Sequence, residues 1–280
     1  MRLFLLTALT MCAFAANSIL NRLAIDSGVS DPGGFAVFRV LAGAVVLMAL
    51  VRLRGGKMPL RNRRRIIGAG SLSLYMVGFS MAYVTLDAGL GALILFGVVQ
   101  ISMFSVSSLS GSAPTGRQVI GACIAFTGLV YVLWPVGDVR VDLSGAGLMI
   151  AAGIGWAAYT LSGRSEPDAL AGTGANFVVA LPVTALAIAV FSDGWHMTPM
   201  GYFLAALSGG VTSGLGYALW YRVLPQLAPA VAATVQLSVP IIAILAGVAL
   251  LGESASLRLA LGAALVLGGI ALAVVRLKRA

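Results

Sequence analysis

Tyr75, Phe79 and Tyr83 recur every four residues inside a largely apolar run, so their rings share one helical face. Comparable sets stand in other runs: Phe14 with Asn17 and Asn21, Phe96 with Gln100 and Phe104, Trp156 with Tyr159, and Tyr217 with Trp220 and Tyr221. Thr234, Gln236 and Ser238 precede Pro240 in a further run. Side chains of these types recognise rather than cleave: rings pack on apolar groups, and an amide offers both donors and an acceptor to charged ends. For Asn17, Gln100 and Gln236 two readings stand side by side. One is an interhelical hydrogen bond of about 0.6–2 kcal/mol; the other is contact with a substrate's ammonium and carboxylate. Tyr75, Trp156 and Tyr159 lie near mid-run, where a lipid-facing phenol or indole would leave its donor unsatisfied, so they are expected to face an interior. Trp134, Trp195, Tyr202, Trp220 and Tyr221 lie near run ends and read as an interfacial belt.

Catalytic and metal-binding signatures are missing. There is no HExxH, and the single histidine, His196, stands in a short polar connection. Cys12 and Cys123 lie in separate apolar runs without metal-ligand spacing and are expected to be packing residues. No catalytic residue, metal or cofactor is therefore assigned, and a membrane enzyme ranks last among the function classes. No Asp or Glu sits mid-run, which argues against exchange of cationic drugs for protons through an intramembrane carboxylate. A zwitterionic or neutral substrate fits better, with coupling left open. Arg39 is the one ion within a run, and a structural role for it is favoured over contact with a substrate carboxylate.

These residues require a membrane scaffold. Of the 280 residues 60% are hydrophobic and 10% charged, against about 25% charged in soluble domains. The apolar runs are about 20 residues long, the length that spans a bilayer as a helix. A chain in lipid must satisfy its backbone internally, so the fold class is an all-α polytopic membrane protein. Ten spans are expected, near 3–21, 33–51, 66–86, 89–108, 118–135, 144–163, 172–191, 200–221, 228–251 and 257–275. The first imitates a signal peptide but reads as a retained span. Seven of the 18 basic residues fall between Arg52 and Arg65, which identifies a cytoplasmic loop rather than a nucleic-acid surface despite the net charge of +9. With that loop inside, fourteen Lys and Arg fall on its side and three on the other, placing both termini in the cytoplasm.

The chain also repeats. FAANSILNR (Phe14–Arg22) is similar to WAAYTLSGR (Trp156–Arg164) at an offset of 142, and GRQVIGACIAFTGLV from Gly116 to LRLALGAALVLGGIA from Leu257 at an offset of 141. Two halves follow, 1–136 and 137–280, each with five spans. An odd number per half makes the second enter from the opposite side, as an inverted repeat.

The five-plus-five pattern, WAAYTLSGR and the segment APAVAATVQLSVPIIAILAGVALLGESASLRLALGAALVLGGIALAV together resemble the EamA family of the drug/metabolite transporter superfamily, within it the bacterial aromatic amino acid exporters. The resemblance covers essentially the whole chain, although Gln100 and Ala113 stand near where counterparts of Pro240 and Glu253 would map. It implies a ten-helix bundle in a bacterial inner membrane, with spans 1, 3, 4, 6, 8 and 9 around a central cavity. The cavity candidates are then Asn17, Tyr75, Phe79, Tyr83, Phe96, Gln100, Trp156, Tyr159, Tyr217 and Gln236. Pro240 is the expected hinge. Glu253 is the expected structural cap, at the start of span 10 or paired with Arg258. Gly210 with Gly214, Ala151 with Gly155, and Gly262, Gly268 and Gly269 are expected at close helix contacts. The leading function is export of small metabolites, amino acids including aromatic ones, by alternating access. Its partners are the small-molecule substrate and the bilayer, and a monomer suffices. Exchange of drugs or nucleotide sugars is the alternative, followed by a non-transporting scaffold.

Overall fold

The computed structural model describes residues 1–109, 115–134, 141–163, 166–191, 194–227, 235–236, 238–254 and 256–274. Among them run ten helices: α1 Arg2–Asp26, α2 Pro32–Leu53, α3 Arg64–Ala82, α4 Ala88–Leu109, α5 Gly116–Leu133, α6 Leu143–Gly163 and α7 Ala169–Phe191, then three more. α8 is a rod in three parts, Pro199–Ala206, a π-helical Leu207–Leu215 and Gly216–Val223. α9 joins Ser238–Ala246 to a π-helical Gly247–Leu251, and α10 is Leu257–Val274. Each expected span holds one of these helices; residues 228–234 of the ninth, Thr234 included, lie outside the described residues, as does Ala113.

Local chemistry sets the helix ends. Asp31 accepts from Gly34 N at 2.6 Å and is followed by Pro32, so a capped start with proline in the first turn opens α2. Thr198 and Pro199 open α8 in the same way. Thr115 and Gln118 form a reciprocal capping box on α5. Gly252 takes the left-handed conformation (φ +68°) and ends α9.

α1, α2, α3, α6 and α7 are long and apolar enough by themselves to cross a membrane. Large apolar side chains such as Phe4, Leu5, Leu186, Val190, Leu245 and Leu250 point out of the bundle, which suits lipid and not water. The chain is a multi-pass membrane protein. Cys12 and Cys123 are also on the outer surface, so neither is a packing residue.

α3 packs along α6 and α7, α2 along α7 and the π-helical part of α8, α4 along α6 and α9, and α1 along α9 and the π-helical part of α8. α5 and α10 pair with each other and form a small core around Ala125, Val132, Ala263 and Val266. The main core lies between α1, α3, α4, α6 and α8, with α2, α7 and α9 contributing Leu47, Phe177 and Val239. One end of the bundle, here the basic end, carries the α2–α3 and α6–α7 connections; the opposite end carries α1–α2, α3–α4, α7–α8 and α9–α10.

Small residues let these helices meet. A π-helix advances its hydrogen bonds by five residues rather than four. Gly209 and Gly214 therefore share the face against Gly43 of α2, and a Cβ at Gly209 would land on the Arg39 carbonyl oxygen. Gly210 meets the Val46 side chain at 3.0 Å and the Ala42 carbonyl oxygen at 4.0 Å, also on α2. Gly155 lies against the α3 backbone at Ser71 and Tyr75, and Gly262 and Gly269 lie against α5. Gly268 faces no atom within 4 Å and is not at a contact.

Candidate functional site

The aromatic sets of four helices converge on Trp156. Its ring lies 4.6 Å from Tyr217, 5.1 Å from Tyr75, 5.3 Å from Phe14 and 5.6 Å from Tyr159, centroid to centroid. Phe79 extends the cluster from Tyr75 at 5.1 Å. Edge and tilted geometries dominate, as the ring quadrupoles favour. Between the rings is a cavity of about 10 Å³, walled by Phe14, Asn17, Tyr75, Phe79, Trp156 and Tyr217, with Ser18, Leu95 and Phe96 completing it. That volume is the room of a single water.

Six of the ten expected cavity residues form this wall: Asn17, Tyr75, Phe79, Phe96, Trp156 and Tyr217. Tyr83, Gln100, Tyr159 and Gln236 are buried but do not line it. Tyr83 packs edge-on against Phe79 at 4.8 Å. Tyr159 stacks between Trp156 and Tyr221, and the Tyr221 hydroxyl donates to the Tyr159 carbonyl at 2.8 Å. Trp220 and Tyr221 are thus core residues, fully enclosed, and not an interfacial belt. Position near a helix end gives depth but not direction, and the last turns of α8 point inward against α1 and α6. Trp134 and Trp195 are exposed.

Asn17 is committed to its neighbours. The hydroxyls of Ser208, Thr212 and Ser213 lie 2.9, 2.6 and 3.0 Å from its Oδ1. The five-residue register of the π-helix brings 208 and 213 to one face, and Thr212 adjoins them. Ser213 in turn accepts from Arg39 Nε at 2.8 Å. Arg39, the one ion within an apolar run, is completely buried. Its Nη2 donates to the Tyr75 and Tyr217 hydroxyls at 3.0 and 2.9 Å, and Tyr217 OH donates to Tyr75 OH at 3.0 Å. The guanidinium lies 4.8 Å from the Phe79 ring centroid. Arg39 therefore backs the cavity wall, a position that periodicity did not disclose.

Both ends are tied. At the basic end Arg65 is buried, pairs with Glu166, and donates to Gly172 O at 2.7 Å and Asn176 Oδ1 at 2.9 Å. Arg54 pairs with Asp168, whose carboxyl is held below the usual carboxylate range chiefly by that hydrogen bond. Counted only as loop charges, Arg65 and Glu166 gave no hint of this; their partners lie about a hundred residues apart. At the opposite end Arg22 bonds Asp26 at 3.0 Å and the Tyr83 carbonyl at 3.0 Å. Asp31 accepts from His196 N at 2.9 Å. Asp142 accepts from Ser144, Gly145 N and Thr85, which pulls its carboxyl down to about 2.

Glu253 does meet a helix start, but that of α4. Its Oε1 accepts from Ala88 N at 2.6 Å and its Oε2 from Gly89 N at 3.4 Å. The left-handed Gly252 turns the chain so that Glu253 reaches back across the bundle, where burial pushes its carboxyl above the usual range. Neither expected partner is used. Ser256 caps α10 through Leu259 N at 3.1 Å, and Arg258 donates to the Tyr131 carbonyl at 2.9 Å. Pro240 is buried within Ser238–Ala246, and Val235 and Gln236 before it are also helical.

The second half of the chain, residues 143–275, matches the EamA-like transporter family. Over 272 residues the chain is 43% identical to an uncharacterised protein of Pseudomonas aeruginosa, covering 97% of this chain and 94% of that one. The chain belongs to the EamA-like transporter family. This EamA-family protein is 28% identical over 231 residues to the threonine/homoserine exporter RhtA of Escherichia coli, covering 79% and 74% of the two chains. It is 24% identical over 252 residues to the uncharacterised transporter YwfM of Bacillus subtilis, covering 86% and 83%. A crystal structure of a protein 19% identical aligns with a TM-score of 0.66 over 95% of this chain and 98% of that one, a likeness of fold. The EamA-family chain is a membrane transporter of small metabolites.

Proposed function

We propose that this transporter exports amino acids, bulky apolar or aromatic ones among them, from a bacterial cytoplasm by alternating access. The observation that carries the reading is the aromatic cavity, whose wall draws on α1, α3 and α4 of the first half and α6 and α8 of the second. A site at the junction of two repeats is where such transporters bind their substrates. The inverted repeats, 1–136 and 137–280, are supported by the packing partners. Adding or subtracting five from each helix number turns α3–α6 into α8–α1, α2–α8 into α7–α3 and α4–α6 into α9–α1, all of which pack. Both termini lie in the cytoplasm in this reading, from the excess of Lys and Arg at the basic end.

A cavity with room for one water admits an amino acid only if the halves part. Opening toward the cytoplasm would break the Arg65–Glu166 and Arg54–Asp168 ties; opening outward would break those of Asp31 with His196 and of Glu253 with Ala88 and Gly89. The family relative named a threonine/homoserine exporter supports an amino-acid substrate. One chain supplies the whole wall, so a monomer suffices. The test is counterflow into proteoliposomes preloaded with unlabelled amino acid. Labelled threonine, leucine or phenylalanine is expected to accumulate transiently, and no accumulation of any amino acid would remove the substrate assignment.

Pro240 is the hinge in this reading, four residues after Gln236 and next to the buried Val239. Pro240→Ala is expected to reduce counterflow several-fold while leaving the apparent melting temperature within a few degrees. Unchanged flux would sink the hinge.

A further inference from the structure

We infer that Arg39, with the hydroxyls of Tyr75 and Tyr217, anchors a carboxylate on the transported solute. The inference rests on the transport reading above and gives its substrate class: small solutes with a free carboxylate, such as amino acids.

The starting point is an imbalance of charge. Arg39 is completely buried, yet among the described residues it pairs with no carboxylate. A buried charge is costly unless it is paired. The same chain shows what a structurally paired arginine looks like: Arg65, equally enclosed, has Glu166, a carbonyl and an amide around it. Arg39 has only neutral hydroxyls, on Ser213, Tyr75 and Tyr217. Among the described residues its buried Nη1 has no hydrogen-bond partner. Two N–H donors and one full positive charge are therefore uncommitted.

The second observation is where that charge stands. Tyr75, Tyr217 and Phe79 touch the guanidinium on one side and wall the central cavity on the other. Nη2 donates to both phenol oxygens, and Tyr217 OH donates to Tyr75 OH, so within this triad the Tyr75 proton has no acceptor. An anion entering the cavity finds that phenol as its first donor and the guanidinium behind it. A planar carboxylate matches a guanidinium fork, and hydrogen bonds with one charged partner are the stronger ones. The rings around Trp156 receive the rest of the solute. The absence of a fixed counter-ion also suits a carrier, since a permanent carboxylate would compete with the substrate's own.

The test uses the full-length purified protein in detergent and measures thermal stabilisation, which reports binding to the folded state. The probes are L-threonine and L-phenylalanine, each beside its amide and its methyl ester. The free acids are expected to raise the melting temperature and the amides and esters not to. Arg39→Lys and Arg39→Gln are expected to weaken binding of the acids by about 10- to 100-fold. Should the glutamine variant not fold, Arg39→Met, closer in volume and apolar, serves instead; removal of an unpaired buried charge is expected to leave the empty protein at least as stable. Tyr75→Phe, which leaves Arg39 in place, is expected to weaken the acids several-fold. Equal binding of acids and amides by the unaltered protein would overturn the inference, as would an Arg39→Gln protein that still prefers acids. In either case counterflow of amides or esters would leave the transport reading standing. If no probe binds and no solute counterflows, the transport reading falls as well.

Discussion

Glu166→Ala is expected to lower the apparent melting temperature by roughly 6–20 °C, taking about 3–5 kcal/mol for breaking a buried ion pair and about 2–4 °C per kcal/mol for a chain of this size. The magnitude follows from burial: the Arg65 and Glu166 side chains are 3% and 8% exposed, so deleting the carboxylate strands a desolvated guanidinium. Gly172 O and Asn176 Oδ1 continue to accept from it but carry no charge to balance it. Asp168→Ala is the contrast. The Arg54–Asp168 pair is nearly half exposed on both sides, and such pairs are worth about 0–1 kcal/mol. The double replacement Arg65→Leu with Glu166→Leu should recover most of the loss, because replacing both partners with apolar groups is often neutral. Melting curves of the three variants check this. A Glu166→Ala protein as stable as the unaltered one would mean that the pair is solvated. Where the alternating-access reading holds, the double variant also lacks the tie across the basic end, and its counterflow changes even though its stability does not.

Gly209→Ala is expected to cost at least about 1–3 kcal/mol and to disturb the site together with the fold. The added methyl would lie well inside contact distance of the Arg39 carbonyl oxygen, so the clash is with backbone and no side-chain rotation relieves it. α2 and α8 must separate or the π-helical stretch must shift register. Either movement pulls Ser213 from Arg39 Nε and from Asn17. Gly268→Ala is the internal control. It faces no atom within 4 Å, and alanine is the better helix former by about 0.5–1 kcal/mol, so it should be neutral or slightly stabilising. Melting temperatures of the two variants side by side provide the measurement. Equal values would show that the α2–α8 contact is looser than this structure has it.

The contrast between these two glycines also shows where sequence reading reached and stopped. Small residues in apolar helices announce close contacts, but the partner and register depend on backbone form. Gly210 and Gly214 do lie against α2, but the π-helical stretch also brings Gly209, which their spacing does not mark, onto the α2 backbone. Tyr75 and Phe79 were legible because a four-residue period in a regular helix fixes a shared face, and Trp156 because a mid-span indole has few places to go. Tyr221 was not, since nearness to a helix end is compatible with facing lipid or facing the core. Glu253 was legible as a capping group at a chain turn, but the helix it serves, α4, begins 165 residues away.

The helix count, the approximate bounds of each span and the all-α membrane class were determined by the sequence itself. In a bilayer each segment must satisfy its backbone internally and present an apolar surface, and both demands are local. The pairing of buried polar groups is not local. Arg39 meets Ser213 and Tyr217 across 174 and 178 residues, and Arg65 meets Glu166 across 101. Composition and period are the same for an arginine held by a carboxylate and for one left with neutral hydroxyls. Only the packing of ten helices decides which groups share a desolvated space, and with it which charge is balanced within the protein and which is left uncompensated at the cavity wall.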